Sequence, residues 1–155
     1  MLTTPPEVTF AAVSEDNFDE LAAVRVAAMR ESLERLGRFD PQRARDRLRA
    51  SFVPEHTRFI VGENENVGFY AVCTRAEELC LEHLYIQPRF QRRGIGRLVL
   101  HQLLRDADVR GLCVSVVALR ESASNRFYQR LGFVQTGEGE WDIYYTRPPT
   151  KRTLT

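Results

Sequence analysis

The chain lacks the features that mark several large functional classes. No stretch approaches the ~20 consecutive apolar residues that a membrane-spanning helix needs. The opening Met1-Leu2-Thr3-Thr4-Pro5-Pro6 has neither the basic start nor the apolar centre of a secretory leader. There are three cysteines, Cys73, Cys80 and Cys113, all in apolar strand-like runs. Their odd number gives no disulfide framework and their spacing fits no zinc motif. The expectation is buried thiols, no metal, and a reducing, cytoplasmic compartment. Lysine is almost missing, with Lys151 the one lysine among 22 basic residues, and the formal net charge is +1. A chain this close to neutral does not bind nucleic acid by bulk electrostatics. Neither nucleic acid nor a membrane is therefore expected as a partner. No internal repeat or low-complexity segment interrupts the sequence.

What is present is the composition of an ordinary globular domain. At 155 residues, 43% apolar and 28% charged, the chain is long enough for one domain with a real core. Residues 1–147 are read as that domain and 148–155 as a polar, mobile tail. Val8 to Val13 reads as a first strand, with Ser14 capping the helix that follows. Phe18, Leu21, Ala22, Val26, Met29, Leu33 and Leu36 form a helical stripe that stops at Gly37. Asp40-Pro41 is a second helix start, a cap followed by proline at the first helical position. Arg58–Val61 and Val67–Thr74 read as strands joined by a loop over 62–66, and Leu79–Ile86 as a third. Leu112–Leu119 is apolar enough to be buried on both faces. Phe133-Val134 and Trp141–Tyr145 close the chain as a hairpin around Gly137 and Gly139. Strands cluster in the middle and alternate with helices at the end. The pattern predicts a mixed sheet of about seven strands flanked by about four helices, an α/β fold.

Between Ile86 and the helical stripe of Leu98, Val99, Gln102 and Leu103 lies Gln91-Arg92-Arg93-Gly94-Ile95-Gly96. A strand, a glycine-bearing turn and a helix start aim several backbone N–H groups at one point. The first turn of a helix has four amides without intrahelical partners, at the positive end of its dipole. Such a turn binds phosphate, and glycine lets the ligand approach where a Cβ would obstruct it. The dinucleotide fingerprint fails because Val99 takes the place of its third glycine, and the Walker loop fails because Arg97 follows Gly96.

The turn fits the Q/R-x-x-G-x-G/A pattern, and some thirty residues later comes a second motif. Phe127-Tyr128 followed by Leu131-Gly132-Phe133 reads as a helix carrying a tyrosine and ending at Gly-Phe, with Ser122 as its cap. Together, over roughly residues 7–147, these resemble the GCN5-related N-acetyltransferase (GNAT) superfamily. The resemblance implies a GNAT-like fold and an acetyl-CoA cosubstrate. Its pyrophosphate would be held by Gln91, Arg92, Arg93, Gly94, Ile95, Gly96 and Arg97. The cofactor would lie where the strand before the turn and the strand after its helix part. Backbone amides of Leu84, Tyr85 and Ile86 would polarise the thioester carbonyl, and Tyr128 would protonate the leaving thiolate. The family often carries an asparagine seven residues before that tyrosine, bonded to the pantetheine arm. Here the position is Glu121, and Asn125 or Ser122 stands in as the substitute.

Acetyl transfer also needs a base for the ammonium proton. Strand alternation puts Cys80, Glu82, Leu84 and Ile86 on one face and Leu81, His83 and Tyr85 on the other. The resemblance implies an acidic or histidine base at position 80 or 82, which makes Glu82 the first choice, ahead of His83, with water or no dedicated base as the remaining options. Arg35, Arg38, Arg43, Arg45, Arg47 and Arg49 crowd the first two helices. They read first as a solvated face paired with nearby carboxylates, and second as a wall attracting an anionic acceptor. The function expected is acetyl transfer from acetyl-CoA to a primary amine of a small molecule or an exposed amino group. The alternative is a non-catalytic acyl-CoA-binding or sensing domain of the same fold. The acceptor, the acyl length and homodimerisation stay open.

Overall fold

A computed structural model describes residues 7–150. The leaderless start expected at Met1–Pro6 and the end of the expected tail, residues 151–155, lie outside the described residues. In chain order the elements are β1 (Thr9–Ala12), α1 (Phe18–Arg35), α2 (Pro41–Ser51), β2 (Thr57–Gly62), β3 (Glu65–Arg75), β4 (Glu78–Ile86), α3 (Ile95–Arg110), β5 (Cys113–Leu119), α4 (Ser124–Arg130), β6 (Val134–Glu138) and β7 (Asp142–Arg147). The seven strands run β1-β2-β3-β4-β5-β7-β6. β1–β2–β3 and β5–β7–β6 are antiparallel, while β4 and β5 are parallel. The mixed seven-stranded sheet with four helices is the fold the sequence predicts.

The described chain groups into two compact units, one of residues 7–71 and 83–99, the other of 72–82 and 100–150. In the first, the Ser14 amide donates to Asn17 Oδ1 at 2.9 Å, starting a single 3-10 turn that runs into α1. Gly37, at φ +67°, ends α1 in the left-handed conformation that glycine takes without steric cost. Asp40 caps α2 by accepting from the Arg43 amide at 3.2 Å, and Pro41 needs no intrahelical partner at the first position. Phe18, Leu21 and Leu48 from the helices pack with Phe59 and Phe69 from the strands as the core. The loop expected over 62–66 is tighter than the sequence suggests. Gly62 pairs with Glu65, so only Glu63 and Asn64 turn the chain, at φ +53° and +65°. That is the two-residue hairpin turn whose twist matches the strands.

β3 and β4 approach unusually closely at one point. A Cβ on Gly68 would sit 2.2 Å from the Tyr85 carbonyl oxygen. No other residue fits there without moving backbone.

In the second unit, β4 and β5 pair over Glu78–Cys80 against Cys113–Ser115, near the start of each strand. β5 alternates buried and accessible positions, and Val117 is 53% exposed. The expectation of burial on both faces is therefore corrected: only the side carrying Val114 and Val116 is covered. The thiols are likewise half-buried rather than buried. Cys80 lies between Leu79 and Leu81 in β4, and alternation turns it away from the core face those leucines fill. Gly137 belongs to β6, at a register shift, and the closing turn is at Gly139, whose amide bonds the Asp142 carbonyl at 2.7 Å. Arg147 and Asp108 form a two-pronged ion pair at 2.9 and 3.1 Å. The same carboxylate accepts from the amide and hydroxyl of Thr150.

Candidate functional site

In the first unit, β4 ends at Ile86 and α3 begins at Ile95. The intervening turn is braced from both sides. Gln91 donates to the Ile86 carbonyl at 2.8 Å, and Gln87 donates to the Asn66 carbonyl at 2.6 Å. Phe90 is buried, with the guanidinium groups of Arg89 and Arg93 lying 4.5 and 5.4 Å from its ring centre. Their charges pair outward, Arg89 to Glu65 and Arg93 to Glu63. Backbone φ is +64° at Arg92 and +81° at Gly94, with Arg93 between them outside the left-handed region. Alternation of this kind folds successive amides into a concave anion nest.

The first hydrogen bond of α3 runs from the Leu98 amide to the Gly94 carbonyl, 3.0 Å. The amides of Ile95, Gly96 and Arg97 precede it. A Cβ on Gly94 would meet nothing within 4 Å, and one on Gly96 only Ile86 Cγ1 at 3.9 Å. The left-handed backbone explains glycine at 94. At 96 neither backbone conformation nor packing requires it, so the residue suits a group that approaches the helix end from outside. The residues read from sequence as a pyrophosphate cradle, Gln91 to Arg97, thus form one braced turn at a helix start.

Beside it runs a partly buried polar chain that the sequence reading missed. Arg25, on α1, is 7% exposed. Its Nε donates to Tyr85 Oη at 3.3 Å and its Nη1 to the Ala44 carbonyl at 2.5 Å. Tyr85 Oη lies 3.4 Å from His83 Nδ1, and His83 Nε2 lies 2.9 Å from Ser51 Oγ. The direction of the chain assigns the tautomer. A guanidinium only donates, so Tyr85 accepts from Arg25 and turns its own hydrogen towards His83 Nδ1. His83 then carries its proton on Nε2 and gives it to Ser51, whose hydroxyl ends on the Leu48 and Arg47 carbonyls. Burial, then the charge of Arg25, lowers the His83 pKa from 6.5 to about 4. With its lone pair engaged and its basicity reduced, His83 is poorly suited to take a proton from an amine.

This histidine carries a stability prediction. Its folded pKa lies below the unfolded value, so the folded state binds fewer protons between pH 6.5 and 4. Its stabilisation is full above pH 6.5 and is lost as pH falls through 4, amounting to ~3 kcal/mol for a shift of this size. Asp108, held down to about 2 chiefly by its Arg147 hydrogen bonds, fails only below its ordinary 3.8. Denaturant unfolding from pH 7 to 4.5 is therefore expected to show a steep loss in the wild type and a shallower one in His83→Gln. Equal slopes would remove His83 from this account.

In the second unit, Glu82 is half-buried and Arg75 Nη2 lies 3.8 Å from its carboxylate. Tyr128 is buried on α4, its ring against Phe133 and Tyr145 at centroid distances of 5.4 and 6.2 Å. Asn125 donates to the Leu119 and Ser122 carbonyls at 2.9 and 3.0 Å and accepts from Tyr145 Oη at 2.8 Å. Its amide thus ties the end of β5 to α4. Ser122 does not cap α4 as expected; the N-cap is Ala123, without a side-chain bond. The Ser122 carbonyl serves instead as an acceptor for Asn125, because the chain turns sharply one residue earlier. There Glu121 sits at φ +67°, a conformation asparagine adopts far more readily. Glu121→Asn is expected to stabilise the protein by ~1 kcal/mol, read as a higher denaturant midpoint. An unchanged or lower midpoint would mean that glutamate's own contacts outweigh the strain.

The arginines of α1 and α2 behave largely as a solvated face. Arg35 pairs with Glu31, Arg45 with Asp19 and Arg49 with Glu15, while Arg30 pairs with Glu34. Arg45 and Arg49 also flank the Phe18 ring at 4.9 and 4.5 Å. Among the described residues no His, Cys, Asp and Glu cluster could hold a metal ion.

Residues 55–135 match a family described as "Acetyltransferase (GNAT) domain". A [Ribosomal protein bS18]-alanine N-acetyltransferase of Haemophilus influenzae is 32% identical over 93 residues, 57% of this chain and 60% of its own length. The match therefore spans less than two thirds of that relative. Among solved structures, PaiA N-acetyltransferase from Thermoplasma acidophilum in complex with coenzyme A superposes with a TM-score of 0.74. It is 14% identical, over 92% of this chain and 99% of that one. The ribosomal-protein-S18-alanine N-acetyltransferase of Escherichia coli gives 0.68 at 17% identity, over 95% and 97%. At such identities these likenesses speak to the fold.

Proposed function

Because this chain belongs to the GNAT acetyltransferase domain family, we propose that it moves the acetyl group of acetyl-CoA onto a primary amine. The amine belongs to a small molecule or an exposed amino group. The observation that carries the reading is the braced turn Gln91–Gly96. It presents three helix-start amides and an alternating-φ nest, with a glycine at 96 that the fold itself does not require. That is a cradle for a pyrophosphate. The match to N-acetyltransferases that act on a ribosomal protein's alanine supports an amino group of a protein as one acceptor class.

Acetyl-CoA, when bound, supplies the thioester. The roles of this chain's groups follow from family membership joined to the local chemistry. Arg92, Arg93 and Arg97 add charge to the amides of the turn. The backbone of Leu84, Tyr85 and Ile86 polarises the carbonyl. Glu82 removes the ammonium proton, directly or through water, and its carboxylate is better suited than the neutral, engaged His83. Tyr128 returns a proton to the departing sulfur; a phenol of pKa ~10 matches a thiolate in basicity. Asn125, with its amide committed internally, acts by fixing the start of α4. The place of action is read as the cytoplasm.

The test is a panel of amines and peptides with acetyl-CoA, following free coenzyme A release. Amine-dependent release is expected. Acetyl-CoA binding without release for any acceptor would overturn the enzymatic reading in favour of a sensing domain.

A further inference from the structure

Arg25 is the one charged side chain among the buried residues described, and its charge has no carboxylate partner there. Its bonds go to a phenol oxygen and a peptide carbonyl, both neutral acceptors. The Tyr85 ring lies 5.7 Å from its guanidinium carbon and adds a weak attraction. The neighbouring titratable group, His83, is neutral and offers no compensation. Burying an ion without a counter-ion is among the more expensive arrangements in a protein. The two other arginines of α1, Arg30 and Arg35, each have a carboxylate in reach.

The guanidinium is nevertheless not sealed. Among the described residues no buried side-chain nitrogen is left without a hydrogen-bond partner, and no bond is described for Arg25 Nη2. That edge therefore reaches solvent and has donors to give. The cation is joined through one hydrogen bond to the side chain of Tyr85. In the proposed reaction the backbone of that residue polarises the thioester. The opposite end of the polar chain is closed by Ser51 on α2. An anion reaching Arg25 would thus be separated from a reacting nitrogen by about the length of a tyrosine side chain.

Resting on the acetyltransferase reading, we propose that Arg25 is the counter-ion for the acceptor, which carries a carboxylate or phosphate group several bonds from the amine it presents. Arg25 determines specificity and takes no part in proton transfer. With Nε and Nη1 engaged, Nη2 is the donor left to give either oxyanion a charge-assisted hydrogen bond. A simple alkylamine would leave the cation uncompensated.

The probes are a length series of linear ω-amino carboxylates, the primary amides of the same compounds, and the matching ω-aminoalkyl phosphates. Calorimetric titration into wild-type protein reads binding without turnover. At one chain length the carboxylate is expected to bind ~10–100-fold more tightly than its amide, the range of a charge-assisted hydrogen bond. Comparing carboxylate with phosphate at that length identifies the oxyanion. If acetylation occurs, kcat/KM should show the same preference, carried by KM with kcat little altered. In Arg25→Met, an apolar replacement that a buried cation often tolerates, the preference should collapse towards one. Equal binding of carboxylate and amide at every length overturns the proposal, and so does a preference that survives Arg25→Met. The wild-type comparison needs no variant, so a folding failure of Arg25→Met does not shield the idea. Acetylation of uncharged amines with no carboxylate preference would sink this proposal and leave the acetyltransferase reading intact. Carboxylate-selective binding with no acetyl transfer would do the reverse.

Discussion

Gly96→Val is expected to give a folded protein that no longer binds coenzyme A. The two halves of that statement rest on different observations. The fold tolerates the change because a Cβ at 96 meets only Ile86 Cγ1 at 3.9 Å, and the residue is not in a left-handed conformation. Valine is a better helix former than the glycine it replaces, so the change carries no propensity cost that would unfold the domain. Binding suffers because the branched side chain stands beside the amides of Ile95, Gly96 and Arg97, ahead of the first intrahelical bond. A phosphate must come within ~3 Å of such donors. Gly68→Ala is the control, since its Cβ would sit 2.2 Å from the Tyr85 carbonyl and should damage the fold. Calorimetric titration with coenzyme A, after circular dichroism confirms folding, decides the matter. Wild-type affinity in a folded Gly96→Val protein would place the phosphates elsewhere and remove the main support for the proposed function.

The second large effect concerns proton transfer. Tyr128→Phe is expected to lower turnover on the order of 10²-fold with coenzyme A affinity nearly unchanged, because the phenol would act on the departing sulfur alone. Glu82→Gln, nearly equal in volume, should also lower turnover, and it should alter the acid limb of kcat/KM. That limb reports ionisations of the free enzyme once the acceptor's own pKa is separated out. His83→Asn distinguishes the competing base. With its pKa near 4 and its Nδ1 engaged by Tyr85, His83 should affect stability in acid more than the rate at neutral pH. A Glu82→Gln enzyme with normal rate and an unchanged acid limb, alongside a crippled His83→Asn enzyme, would reverse the assignment. A Tyr128→Phe enzyme at full rate would leave the thiolate to be protonated by water.

Local chemistry explains which elements were legible in the sequence. The start of α2 at Asp40-Pro41, the stop of α1 at Gly37 and the turn from Gln91 to Gly96 each depend on residues within a few positions of one another. Periodicity likewise placed the seven strands and four helices to within a few residues. Ends drifted where the signal was weak. The β2–β3 loop closed to two residues because the ladder continued through Asn66 and Glu65, and β6 reached Glu138 because a bulge at Thr136 lets the ladder resume at Gly137 opposite Tyr144. Ser122 looked like a cap by composition, but the left-handed turn at Glu121 moved the helix start past it.

Other features could be decided only by tertiary contact. Arg25 and Tyr85 are 60 residues apart, Arg25 and Ala44 19, and Ser51 and His83 32. No periodicity links such positions. In the sequence Arg25 is one of three arginines on α1, and the other two, Arg30 and Arg35, follow the rule that it breaks. What made it different is that α1 packs this one position against β4, leaving it 7% exposed and supplying only neutral acceptors. The same holds for Asn125, which read as a ligand contact until the folded chain committed its amide to Leu119, Ser122 and Tyr145. Residue type and spacing determined which backbone groups converge at the start of α3, because a turn and a helix start are local objects. Which polar side chains are buried, and which of them still lack a counter-charge, depends on the neighbours that packing brings from distant parts of the chain.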